Sequence, residues 1–194
     1  MSDQPVSRLA PLQPSDMTPQ QKDVFDDIIA GPRGSVKGPF NAWLRSPALV
    51  DPAQKLGEFC RFNNCLGPRL SEIAILITAR KFRCQVEWFL HARLAMAAGH
   101  AQSTIDALLA GARPDFAVVP GCDAEKENMV YDYASLLVAT GRVDDETHAR
   151  ALAVFGEQGL VELVGIIGYY HLVSLTLNAF NVPLPEPGDL PFAE

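Results

Sequence analysis

The sequence predicts an all-α protein, and three observations carry that prediction. Apolar residues recur at three- and four-residue spacing along most segments. Helix start and stop residues bracket those segments, and no stretch shows the apolar/polar alternation of a half-buried strand. With 194 residues, 48% of them apolar and 20% charged, the chain is long enough to bury one core without metals or disulfides.

Pro5, Pro11, Pro14 and Pro19 punctuate the start, so residues 1–18 are expected to form an extended arm lying on a neighbour or in solvent. Thr18 and Gln21 make a capping box with Pro19 at the first helical position, and Val24, Phe25, Ile28 and Ile29 follow at helical spacing until Gly31 and Pro32. The segment from Gly31 to Pro39 holds more glycine and proline than a tight turn needs, so it is either mobile or the mouth of a pocket. A second helix is expected from Pro47 through Leu56, Phe59 and Phe62, with Gly67-Pro68 as its stop and Ser71 opening the next. Ile73, Ile75, Leu76 and Ile77 make that next helix apolar nearly all round, hence buried; length decides against a strand.

Further helices are expected from about Cys84 to Gly99, from Ser103 to Gly111, through Met129, Tyr133 and Leu137 to Gly141, and from Asp144 to Gly156. Leu160 to Phe180 then forms a long apolar helix. It is long enough to cross a bilayer, but Glu162, His171 and Asn178 favour a core or interface helix, and no membrane partner is expected. Residues 19–181 are therefore one helical domain, and the proline-rich residues 182–194 are a tail expected to pack as a strap.

Sixteen Lys and Arg against twenty-three Asp and Glu give a net charge of −7, which repels a phosphate backbone and argues against nucleic acid as a partner. The N-terminus shows no basic region followed by an apolar stretch of secretory length, so a cytoplasmic location is expected. Cys60, Cys65, Cys84 and Cys122 sit in helix-like surroundings and are expected to be reduced thiols. No C-x-x-C pair, H-E-x-x-H, glycine-rich phosphate loop or G-x-S-x-G occurs.

The stretch that can carry chemistry is Arg69-Leu-Ser-Glu72 followed by Arg80-Lys-Phe-Arg83-Cys84-Gln-Val-Glu87-Trp88-Phe-Leu-His91. At about 100° per residue, Cys84, Glu87 and His91 share one helical face, and Glu87 and His91 are neighbours one turn apart. A carboxylate beside an imidazole fixes its tautomer and raises its basicity, the makings of a general acid or base; a surface ion pair has the same spacing. Tyr169, His171 and Asn178 lie on the apolar C-terminal helix, where polar groups serve more often as core hydrogen-bond partners than as pocket residues.

The order Glu72, Cys84, Glu87, His91, within Arg69-Leu-Ser-Glu-Ile-Ala-Ile-Leu76 and Glu87-Trp-x-x-His91, resembles the signature of the carboxymuconolactone decarboxylase and alkylhydroperoxidase D superfamily. The resemblance extends to Gly38-Pro-Phe-Asn-x-Trp-Leu-x-Ser-Pro47, Gly168-Tyr-Tyr and Leu177-Asn-Ala-Phe-x-Val-Pro-Leu-Pro185. It implies an alkylhydroperoxidase D-like helical bundle and a homo-oligomer, whether trimer, hexamer or dimer. In the peroxidase branch a second Cys stands where this chain has Glu87, so Cys84 lacks the resolving thiol.

The decarboxylase branch implies acid–base chemistry without metal or organic cofactor on a small carboxylated ring or lactone. In that reading His91 carries the proton, Glu87 orients it, Glu72 is a second carboxylate, and Cys84 is either a site thiol or a small buried apolar group. Trp88 would wall the pocket, while Arg69, Arg80 and Arg83, with Lys81, would bind a substrate carboxylate or simply remain solvated charges. A thiol-dependent alkyl hydroperoxidase and a non-catalytic ligand-binding helical oligomer are the competing expectations.

Overall fold

The computed structural model describes residues 6–116 and 123–193. Cys122, expected to be a reduced thiol, lies outside the described residues. A 3₁₀ turn at Pro14–Asp16 precedes eight α-helices: α1 Pro19–Ala30, α2 Phe40–Trp43, α3 Pro47–Glu58, α4 Gly67–Lys81, α5 Gln85–Ala97, α6 Gln102–Ala110, α7 Ala124–Thr140 and α8 Asp145–Ala179. No strand occurs among the described residues.

The caps fall largely where the residue chemistry places them. Thr18 accepts from the Gln21 N–H and Gln21 reciprocates, closing the capping box of α1. Asp144 accepts from the Thr147 N–H at the start of α8, and Gly111 and Gly141 end α6 and α7 in left-handed conformation. Gly156 breaks α8 as expected, with φ 68° and ψ 177°, and the helix resumes beyond the kink.

Two boundaries differ from expectation. The short helix α2 carries no cap chemistry, and tertiary packing of Phe40 and Trp43 holds it. Gly67-Pro68 starts α4 instead of stopping α3, because proline costs nothing at the first helical turn, where its missing N–H has no partner to lose. α3 instead runs into a π-helical turn at Phe59–Asn63. The Asn64 side chain closes this junction: it donates to Cys60 O and accepts the N–H groups of Leu66 and Gly67, a cap for α4.

α4 is the centre of the bundle. Its Leu70 to Leu76 are buried without a break, and α5, α7 and α8 pack around it. Each fully buried Ile or Leu there contributes about 1.5–3 kcal/mol relative to exposure. A carboxylate on such a helix is costly unless paired, which makes Glu72 conspicuous.

The N-terminal arm folds back onto its own chain: Arg8 bonds Phe180 and Ala179 carbonyls, and Asn41 holds Leu9, Ala10 and Leu12. The tail straps across α5, where Gln85 exchanges hydrogen bonds with Phe192 and Arg93 pairs with Glu186. Among the described residues α8 is long and apolar enough to cross a membrane by length and composition, with 56% of its most apolar window buried inside the structure.

Candidate active site

Three elements build the site. α4 supplies Glu72; α5 supplies Glu87 and His91; α8 supplies Tyr169 and Tyr170. α4 and α5 form a helical hairpin, reversed through Phe82, Arg83 and Cys84, in which Arg83 takes the left-handed conformation at φ 49°. That reversal lays His91 against Glu72, nineteen residues earlier.

His91 is held from both sides. Its Nδ1–H donates to Glu72 Oε2 at 2.7 Å, since a carboxylate only accepts. Its Nε2 lies 3.3 Å from Glu87 Oε2, one turn back on α5. That Glu87 oxygen has no aligned hydrogen-bond donor although it is buried. Burial disfavours the charged ring, but the two carboxylates outweigh it and raise the His91 pKa to about 9, so the ring is an imidazolium at neutral pH. Tyr170 sits edge-on to the His91 ring at 4.9 Å, and burial, with the charges of Glu87 and Glu72, pushes its phenol well above the ordinary range.

Glu87 and His91 open onto a small cavity of about 90 Å³. The Gly31–Pro39 segment forms its mouth through Arg33, Ser35, Lys37 and Gly38, and Arg61, from the π-helical turn, together with Tyr169 completes it. The Arg33 guanidinium lies beside the Tyr169 hydroxyl, whose pKa its charge pulls down against the stronger effect of burial, and over the Phe40 ring at 5.1 Å, while its buried Nε and Nη2 have no well-aligned acceptor. Glu87 is the single carboxylate among the lining residues, against three cationic side chains and the His91 ring. A Cβ at Gly57 would lie 2.0 Å from the Tyr169 hydroxyl and 2.5 Å from Arg33 Nη2, so glycine there makes room for both.

The residues expected at the site divide into two groups. Glu72, Glu87 and His91 come together, all buried. Cys84 caps the N-terminus of α5, fully buried and off the cavity lining. Burial, reinforced by Glu87, pushes its thiol up to about 12, over the opposing pull of the Val86 and Glu87 N–H groups.

The expected substrate-binding residues do not line the cavity, and the three arginines and Trp88 are each held by a structural partner. Arg69 pairs with the fully buried Glu127 and bonds Ala98 O. Arg80 bonds the carbonyls of Leu109 and Ala110 at the end of α6; Arg83 bonds Ala193 O and lies over Phe192. Lys81 is exposed beside a different cavity, lined by Ile77, Arg80 and Tyr131. Trp88 packs edge-on to Phe192 at 5.5 Å in a second core cluster and does not line the cavity.

Arg33, Lys37, Arg61 and Tyr169 line the cavity instead. Tyr169, read from sequence as a core partner, lines the cavity; His171 and Asn178 do act as hydrogen-bond partners, to Ile167 O and Phe82 O. The one sequence signal for the new set was the glycine- and proline-rich segment carrying Arg33 and Lys37.

No family model and no curated protein matches this sequence. Several solved structures are similar in fold, two of which follow. One is a protein of unknown function from Agrobacterium tumefaciens, described as a putative antioxidant defence protein AhpD; it is 16% identical, with a TM-score of 0.59 over 78% of this chain and 100% of that one. The other is an uncharacterized peroxidase-related protein from Silicibacter sp. TM1040, 12% identical, with a TM-score of 0.69 over 91% of this chain and 90% of that one. With its eight described helices and no described strand, this chain has the alkylhydroperoxidase D-like fold.

Proposed function

We propose that the chain is an acid–base enzyme of the carboxymuconolactone decarboxylase type, a lyase or isomerase acting on a small carboxylated ring or lactone without a cofactor. The observation that carries this reading is a buried imidazolium gripped by two carboxylates, one of which faces a cavity rimmed by arginines. Arg33 and Arg61 hold the substrate carboxylate. In decarboxylation the bond to that carboxylate breaks, carbon dioxide leaves, and the electron pair stays on the ring as an enolate. The positive rim stabilises the developing anion, and a proton passes from His91 Nε2 through Glu87 to carbon. Glu72 keeps the Nδ1 proton throughout, and solvent recharges the ring.

Turnover of a panel of lactone acids in D₂O, followed by NMR, tests this. The expected result is deuterium at the carbon that loses carbon dioxide or shifts its double bond. Rapid reduction of alkyl hydroperoxides with a dithiol donor, with no turnover or exchange on the acids, would favour the thiol-dependent hydroperoxidase to which the neighbours' descriptions point. The thiols of Cys60 and Cys84, pushed up by burial to about 11 and 12, favour the acid–base reading, because the thiolate is the attacking species.

We further propose that the chain self-associates through the outer face of α8. Val161 and Leu175 are 72% and 53% exposed there, with Val164 and Leu172 between them, beside Gly165 and Gly168. No charged residue interrupts that strip, and apolar patches of this kind mark interfaces. Light scattering should give a dimer, trimer or hexamer, and Val161→Glu with Leu175→Glu should shift it towards monomer; a monomeric wild type at micromolar concentration rules the interface out.

A further inference from the structure

The cavity at Glu87 and His91, about 90 Å³, has room on the order of three waters. It admits a carboxylate and the atom beside it, and the rest of any substrate must lie outside. A second cavity of about 540 Å³ adjoins it, since Lys37, Gly38 and Leu90 line both. That volume falls within the range of ligand sites.

The wall of the larger cavity is apolar, drawn from parts of the chain far apart in sequence: Leu12 and Met17 of the arm, Phe25 of α1, Val36 of the loop, Val86 of α5 and Val182 of the tail. Its polar groups are already engaged. Asn41 serves the backbone of the arm, the Ser7 hydroxyl donates to Leu9 O, and Glu186 pairs with Arg93. Among the lining residues, cationic groups stand only on the side of the smaller cavity, where Lys37 marks the seam and the Arg33 guanidinium lies beyond it.

Building on the acid–base reading, we infer that the ring or lactone carries a single carboxylate and an extended apolar body, its carboxylate at Arg33 and Arg61 and its body passing Lys37 into the cavity closed by the arm and the tail. A compact polyacid would place a second charge against apolar side chains that offer it no partner. An apolar body instead removes its own surface and that of the wall from water together.

Calorimetric titration of the full chain with butanoate, octanoate and octanol tests this without requiring turnover. Each buried methylene should tighten binding about fourfold, so octanoate should bind at least tenfold tighter than butanoate and also tighter than octanol. Arg33→Gln should weaken both acids at least fivefold and leave octanol unchanged. Val36→Trp and, separately, Leu12→Trp fill the apolar cavity; a variant that melts like the wild type should bind butanoate normally and lose the gain from chain length. Equal binding of the two acids by the wild type, or a chain-length gain that survives both tryptophans, overturns the apolar site while leaving the carboxylate site of the acid–base reading intact. If neither acid binds, that carboxylate site falls and this inference falls with it.

Discussion

Glu87→Gln is expected to lower turnover about 100- to 10,000-fold, the range over which a positioned acid or base contributes. The substitution keeps shape and burial but removes the negative charge and the proton-carrying capacity of a side chain that lines the cavity and lies 3.3 Å from His91 Nε2. The proton then has no route from Nε2 to substrate carbon, while Glu72 still holds Nδ1. His91→Ala should lose as much and keep its helix, because alanine is a good helix former. Arg33 and Arg61 remain, so binding of the unreacted acid should change only a few-fold. Steady-state kinetics with circular dichroism decide the matter: a folded Glu87→Gln or His91→Ala protein with wild-type turnover ends the acid–base proposal.

The second large effect is on stability as a function of pH. His91 has a pKa of about 9 in the folded chain against 6.5 as its ordinary value. A raised pKa means that the folded state holds the proton more tightly than the unfolded state. The resulting stabilisation is fully present below pH 6.5 and is lost as pH rises through 9. The loss should be on the order of 3 kcal/mol. Urea unfolding at intervals across that window should show the decline in the wild type and its absence in His91→Gln, which has no proton to release. The comparison between the two proteins removes the contribution of cysteines titrating in the same range. Parallel curves would mean that His91 is not held as an imidazolium.

Both expectations rest on residues legible in the sequence. The pairing of Glu87 with His91 follows from one helical turn, and the caps at Thr18, Asp144 and Gly141 follow from local chemistry that needs no distant contact. The all-apolar run around Ile73 likewise required a buried helix, and α4 is the central one. Glu72 was legible only through its resemblance to a known motif; its contact with His91 depends on the turn at Arg83, a left-handed conformation that nothing in the residue type demands.

What the sequence by itself determined is the helical class, most helix ends and the acid–base pair on α5, because each depends on interactions within a turn or two of chain. What only the tertiary structure decided is which cations line the cavity at Glu87 and His91. Arg69, Arg80 and Arg83 are near it in sequence, but a buried carboxylate, the end of α6 and the C-terminal tail each claim one of them. Arg33 and Arg61 belong to an irregular loop and a π-helical turn, segments without periodicity, and they share a cavity with Glu87 only because α5 and α8 pack on α4, the π-helical turn packs against α4 and α8, and Gly57 leaves space for Arg33 and Tyr169. A long flexible side chain goes where its charge is best satisfied, and sequence distance does not encode that.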